Sequence, residues 1–328
     1  SFVYPREIAQ SALRFVSALS EAYARRDGAD RQSTRHAAVS GSRMEKCRIV
    51  VNTSKPESQA LGNEIKRFLA EKNIASSFYR FDGFSDANPF SNCDFAVTLG
   101  GDGTVLFAAR GCASLGIPVF PVNLGEFGFI ASIEKNEWKE KLELFLAGDM
   151  FVGERSMLEV SFSRGLRGDF SAVALNDVVV SADTAAKTVS LEVSYDGVPL
   201  GVFKTDGIIV STATGSTAYS ASAGGPIVDP ELDAIILTPI NAFSLSSRPI
   251  VLDPREEVCI KLLSVRKEAA LITVDGQTPF ALKAESVITV RKAAHKVKLA
   301  GCTTEKFCSA LRSKLNWSGG PHARRPDD

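Results

Sequence analysis

The hydrophobic pattern changes character partway along the chain. Up to residue 147, short apolar, β-branched runs alternate with segments of helical spacing. Residues 47–52 predict a strand that ends at Thr53-Ser54-Lys55-Pro56, after which Leu61, Ile65, Phe68 and Leu69 share one face of a helix over 57–71. Residues 74–79, 95–99 and 117–121 predict further strands, and 105–110 and 136–147 predict helices. Strands that alternate with helices across short connections form an open parallel sheet covered on its faces. Ligands of such sheets bind at the carboxyl ends of the strands. After Met150 the helical spacing fades. Short runs at 158–163, 172–180, 188–195, 198–203, 207–211, 235–238, 257–262, 270–274, 280–283 and 286–292 predict a β-rich region. Asp196-Gly197 and Asp275-Gly276 mark tight turns within it.

The ends of the chain read differently. Ile8, Leu13, Val16, Leu19 and Tyr23 fit an amphipathic helix over 5–26, and 27–43 has a linker composition. Met44 directly precedes the first strand, so 1–43 reads as an extension without a catalytic role, native or added. The expected organisation is this extension, an α/β domain over 44–150, a β-rich domain over 151–299, a C-terminal segment over 300–317, and a loose tail over 318–328.

Composition narrows the chemistry. A length of 328 residues suits two domains, and 45% hydrophobic with 23% charged residues excludes a disordered, collagenous or coiled-coil chain. Lys plus Arg and Asp plus Glu balance at 38 each, which argues against a nucleic-acid partner. The six cysteines are scattered with no Cys-x-x-Cys pair, as expected of thiols in a reducing, cytoplasmic setting. His36, His295 and His322 are the only histidines, too few for a histidine zinc site or a Ser-His-Asp triad. No run of 18 apolar residues predicts a membrane span.

Two segments concentrate the candidate chemistry. The strand at 95–99 runs into Gly100-Gly101-Asp102-Gly103-Thr104 and then a helix. Glycines admit a close ligand, and the helix start favours phosphate oxygens. The loop is neither a Walker sequence nor the dinucleotide Gly-x-Gly-x-x-Gly pattern, because position 106 is leucine. An aspartate repels phosphate, so Asp102 suggests metal ligation or removal of a hydroxyl proton; a plain tight turn would account for the same residues. After the next strand come Gly125, Phe127, Gly128 and Phe129; Phe127 reads as core, whereas Phe129 fits core or an aromatic base equally. In the second half, Asp206 precedes an apolar strand that leads into Thr214-Gly215-Ser216-Thr217-Ala218-Tyr219-Ser220-Ala221-Ser222, a dense set of small hydroxyl groups.

In combination these motifs resemble the NAD kinase family. The Gly100–Thr104 loop alone is shared with diacylglycerol, sphingosine and 6-phosphofructo-kinases. More specific is its company: Asn123-x-Gly125-x-x-Gly128-Phe129, Asn176-Asp177, Asp206-Gly207, Thr214 to Tyr219, Ala223-Gly224-Gly225-Pro226, Thr238-Pro239-Ile240 and Ser244-Leu245-Ser246-x-Arg248-Pro249-Ile250, in family order over 44–316. The resemblance implies an α/β domain with an open parallel sheet and a β-rich domain in a two-domain fold, with the last segment, 300–317, returning to the first domain. It implies phosphoryl transfer from ATP or inorganic polyphosphate, with Mg2+, to the 2′-hydroxyl of the adenosine ribose of NAD, giving NADP. Asp102 would accept the proton within a loop of Gly100, Gly101, Gly103 and Thr104. Phe129 would face the adenine, Asn176 and Asp177 the adenosine side, and Asp206 the nicotinamide end. Thr217, Ala218, Tyr219, Ser220, Ala221 and Ser222 would line the dinucleotide, with Lys187, Lys204 and Gln277 as further contacts. A homodimer or homotetramer with a shared NAD site is also implied. Two positions depart from the pattern: Asp177 stands for the common glutamate, and Ala242-Phe243 for a common Pro-His.

Three rival readings differ in what they require. A lipid kinase of the same superfamily calls for an acyl-chain cavity, a non-catalytic NAD(P) sensor for loss of the base, and a dehydrogenase for the absent Rossmann glycines.

Overall fold

The parallel sheet predicted from the alternating pattern is present in the computed structural model. Described residues are 44–83, 88–125, 128–163, 168–184, 187–244, 246–264, 270–277 and 279–316. The 1–43 extension, the 318–328 tail and the placement of Phe127 lie outside them. All described residues belong to one compact unit.

The first half runs β1 (Lys46–Asn52), α1 (Pro56–Glu71), β2 (Ala75–Phe81), β3 (Phe95–Gly100), α2 (Asp102–Cys112), β4 (Pro118–Asn123), β5 (Ile133–Glu134), α3 (Trp138–Ala147) and β6 (Val152–Arg155). β3 and β4 are buried at every position, which is why they read as unbroken apolar runs with no alternation. α1 lays Leu61, Ile65, Phe68 and Leu69 on the sheet, as its spacing predicts. α2 starts with Asp102 in its first turn and carries Arg110 in its last, each charge complementing the helix dipole.

The second half continues β7 (Leu158–Ser163), β8 (Asp169–Ala174), β9 (Asp177–Ala182), β10 (Val189–Tyr195), β11 (Val198–Thr205), β12 (Gly207–Thr212), α4 (Tyr219–Ser222), β13 (Ile235–Ile240), β14 (Ile250–Leu252), β15 (Val258–Ser264), β16 (Ala270–Val274), β17 (Phe280–Leu282), β18 (Val287–Lys292), β19 (Val297–Ala300) and α5 (Thr304–Leu315). Two antiparallel sheets form here, ordered β11-β10-β15-β18-β7-β8 and β14-β13-β12-β9-β16-β17. Leu158, Val160, Leu191 and Ile260 of one sheet share a core with Val178, Ile208, Val210 and Ile272 of the other, so the pair is a sandwich. The apolar run at 172–180 is two strands, not one. It breaks at Leu175-Asn176, and β8 and β9 enter different sheets.

The first sheet is completed from a distance. Its order is β2-β1-β3-β4-β19-β6, with β5 also on β4. β19 pairs parallel to β4 and antiparallel to β6, so Val297–Ala300 and Val152–Arg155, both in the β-rich stretch of sequence, lie in the α/β sheet. This return carries α5 back to the carboxyl ends of β3 and β4, where Phe307 meets Phe129.

Candidate active site

Close backbone approach shapes the loop after β3. A Cβ on Gly100 would lie 2.2 Å from the Thr104 hydroxyl, so the loop closes over Thr104 only with glycine there. Thr104 is buried, and its hydroxyl accepts from Asn52 Nδ2 at 3.1 Å, which ties the loop to the end of β1.

Asp102 turns its carboxylate toward the segment after β4. Oδ2 accepts from the Phe129 amide at 3.1 Å, and Oδ1 accepts from the amides of Ile130 and Ala131 at 3.2 and 3.0 Å. A Cβ on Gly128 would stand 2.1 Å from Oδ1, so glycine makes room for the carboxylate. The acidic residue of one motif and a glycine of the next are therefore halves of one contact.

The sandwich contributes the facing segment. β12 ends in a 3-10 turn, Thr214–Thr217, followed by α4. The Thr212 hydroxyl donates to the Leu175 carbonyl at 2.6 Å and accepts from the Gly215 amide at 2.9 Å. The Thr212 amide donates to the Asn176 carbonyl at 2.9 Å, and a Cβ on Gly215 would strike that carbonyl. Asn176 Oδ1 and Thr214 Oγ1 are buried with no hydrogen-bond partner in the protein. Buried polar atoms are normally satisfied, so these two mark where a polar ligand or water completes the site.

A cleft lies between these segments, with Gly128 and Phe129 on one wall, Thr214 and Thr217 on the other, and Lys306 and Phe307 of α5 closing it. Phe129 is half-buried, 6.5 Å from the Phe307 ring, with Lys314 Nζ 5.4 Å from its own ring centre. Arg155 also lines the cleft. Its guanidinium pairs with Glu231 at 2.6 Å and donates to the Cys302 carbonyl at 2.7 Å.

Other residues named from the sequence stand elsewhere or do other work. The Ser220 hydroxyl is buried against Thr238 Oγ1 at 2.9 Å, where it braces α4 from inside. Tyr219 and Ser222 are exposed, and Ala218 and Ala221 half-buried. Asp206 accepts from Asn241 Nδ2 at 2.9 Å, and Lys204 Nζ sits 5.4 Å from the Phe243 ring. Val189 pairs with Thr205, so Lys187 and Asp206 extend from the same end of the β10–β11 hairpin. Gln277 follows the Asp275-Gly276 turn, and its amide donates to the Val274 carbonyl at 3.0 Å. Burial, and then the nearby charge of Asp275, raise the Asp177 carboxyl to about 7.

Sequence reading missed Thr214, although it opens a motif already singled out. Arg155, Lys306 and Phe307 carry no local signature; only the long-range pairing of β19 brings them to the cleft.

Fold and site together define a class of protein: an α/β domain with an acidic glycine loop, joined to a β-sandwich that presents a small hydroxyl-rich segment. Comparisons with known proteins take the assignment further. The family model described as ATP-NAD kinase N-terminal domain matches residues 82–150, and that of the ATP-NAD kinase C-terminal domain matches 175–301. An NAD kinase of Treponema denticola is 46% identical over 277 residues, covering 84% of this chain and 98% of the relative. An NAD kinase of Treponema pallidum (strain Nichols) is 41% identical over 278 residues, covering 84% and 91%. Among solved structures, an NAD kinase from Archaeoglobus fulgidus in complex with ATP is 25% identical at a TM-score of 0.66, covering 81% of this chain and 97% of that one. Yeast NADH kinase complexed with NADH, 24% identical over 86% of this chain and 90% of that one, shares the fold at a TM-score of 0.74. The chain belongs to the NAD kinase family, and it is a kinase that acts on NAD.

Proposed function

We propose that this kinase transfers a phosphoryl group from ATP to the 2′-hydroxyl of the adenosine ribose of NAD, giving NADP and ADP, with Asp102 as the proton acceptor. The observation that carries the reading is the Asp102 carboxylate held by the amides of Phe129, Ile130 and Ala131, directly behind the cleft-lining Gly128, Phe129 and Ile130. A carboxylate has about four acceptor positions. Oδ1 uses two and Oδ2 one, so Oδ2 keeps a position for the ribose hydroxyl. As that hydroxyl oxygen bonds to the terminal phosphorus, its proton passes to Asp102 and the bond to ADP breaks. Amides of the Gly100–Thr104 loop face the charge on the transferring group.

Asn176 Oδ1 and Thr214 Oγ1, both lacking partners, are assigned to the adenosine portion together with Phe129 and Thr217. Asp177, Lys187, Lys204, Asp206, Gln277 and the Ala218–Ser222 stretch are assigned to the remaining dinucleotide contacts. Mg2+ enters with ATP. Among the described residues no three His, Cys, Asp or Glu side chains cluster, so the ion would take most of its oxygens from phosphate and water, as Mg2+ commonly does. It would neutralise phosphate charge. The ATP-bound Archaeoglobus relative supports ATP as donor, and inorganic polyphosphate is the alternative. A homodimer or homotetramer that shares the NAD site and a cytoplasmic location complete the reading; none of the six cysteines is in a disulfide. Among the described residues no helix is long and apolar enough to cross a membrane.

The test is incubation of the purified protein with NAD, Mg2+ and either ATP or polyphosphate. The expected product is NADP whose phosphorus spectrum places the new phosphate on the 2′ oxygen. No phosphorylated dinucleotide with either donor would overturn the proposal.

A further inference from the structure

The turn Asp275-Gly276, which joins β16 to β17, reads in the sequence as an ordinary hairpin signal. Asp275 instead points inward, and its side chain is fully buried. Its Oδ1 accepts from the amides of Asn176 and Asp177 at 2.7 and 3.2 Å, and its Oδ2 accepts from the Leu175 amide at 3.0 Å. Its own amide donates to the Asp177 carbonyl at 2.9 Å. The fourth donor to the carboxylate is Arg110, whose Nη1 lies 3.2 Å from Oδ2. Arg110 sits on α2, the helix that Asp102 opens.

We propose that Asp275 is a positioning residue for the Asn176-Asp177 pair, clamped from behind by Arg110. This rests on the reading of that pair as a dinucleotide contact. Asn176 joins β8 to β9 and Asp177 opens β9, at the point where the chain passes from one sheet of the sandwich to the other. Thr212 holds the pair from β12 through the carbonyls of Leu175 and Asn176. Asp275 holds the opposite, amide side of the same residues. The eight steps from Asp102 to Arg110 span about 12 Å of helix, so α2 is a rigid strut from the proposed base to this clamp. Four donors face the Asp275 carboxylate and stabilise its anionic form, and that charge, after burial, is what raises the Asp177 carboxyl. Burial pushes the Asp275 carboxyl up, while Arg110 and the amides oppose that rise. The charged groups around Asp177 are Asp275 and, through it, Arg110; removing the Asp275 charge lowers the Asp177 titration.

The experiment measures kcat and the KM values for NAD and ATP from pH 5.5 to 9 in wild type, Asp275→Asn, Arg110→Lys and Asn176→Ala, with a thermal melt of each. A hydrogen bond to a charged group is worth roughly tenfold or more in affinity. Asp275→Asn should raise KM for NAD about tenfold, leave KM for ATP within about twofold, and move the pH midpoint of the NAD KM downward. Arg110→Lys, which keeps the charge, should fall between it and wild type. Equal rises in both KM values, or an NAD profile unchanged in pH midpoint, would overturn the positioning role. If Asn176→Ala leaves KM for NAD unchanged, the reading of the pair fails and the role of Asp275 with it. If Asn176→Ala raises KM and Asp275→Asn does not, only the role of Asp275 fails.

Discussion

Gly128 shows how one absent side chain makes room for another. Because a Cβ there would overlap Asp102 Oδ1, Gly128→Ala has to push the carboxylate off the amides of 129–131. Its kcat should fall by about 10²–10⁴, the range expected for losing a positioned base. Circular dichroism should still report the native sheets, and turnover near wild type would show that the contact is not needed. The same contact alters what Asp102→Ala does: besides losing the proposed base, it frees three part-buried amides, so its melting temperature should drop along with its activity. The two motifs themselves were legible in the sequence. Their mutual contact was not, because Asp102 and Gly128 belong to different strand–loop units that only the parallel pairing of β3 and β4 brings together. Asp275 was hidden for a similar reason: an Asp-Gly turn has one sequence signature whether its side chain faces water or a buried amide row.

Strands were legible where burial falls on both faces or alternates cleanly, as in β3, β4 and β7. The division between β8 and β9 was not, because only Asn176 and Asp177 interrupt the run, and Ala174, Leu175 and Val178 on either side of them are all fully buried. Two predictions concern these strands. Ile208 on β12 is fully buried between the sheets, so Ile208→Ala should cost about 2–5 kcal/mol of unfolding free energy in a urea titration. A loss below about 1 kcal/mol would mean that the sandwich core is not packed as described. Asp177 opens β9 with its carboxyl raised from 3.8 to about 7. A native state that binds the proton more tightly than the unfolded chain loses stability as pH rises between those values and is level above them. Asp177→Asn should therefore match or exceed wild type in stability at pH 8 and lose that advantage near pH 4, as read from melts across pH. An advantage that grows toward low pH would contradict the sign.

The whole molecule depends on a chain that leaves the first sheet and comes back. β19 follows the entire sandwich in sequence and lies between β4 and β6, and α5 closes the cleft against Phe129. The expected return of 300–317 came with the family resemblance and not from local periodicity, since strand order is fixed by packing between residues far apart in sequence. The balanced charge of the chain, 38 residues of each sign, suits a protein that meets small anionic nucleotides at a few placed groups. With no three-residue ligand cluster among the described residues, chelation of divalent ions should stop turnover without moving the melting temperature; a fall in melting temperature would point to a structural metal. The central claim is that Asp102 takes the proton from the ribose hydroxyl, and the most direct test pairs two readings on Asp102→Asn, NAD affinity by calorimetry and NADP formation with ATP and Mg2+. NAD binding within a few-fold of wild type and turnover lower by about 10²–10⁴ are expected. Turnover comparable to wild type would contradict that claim.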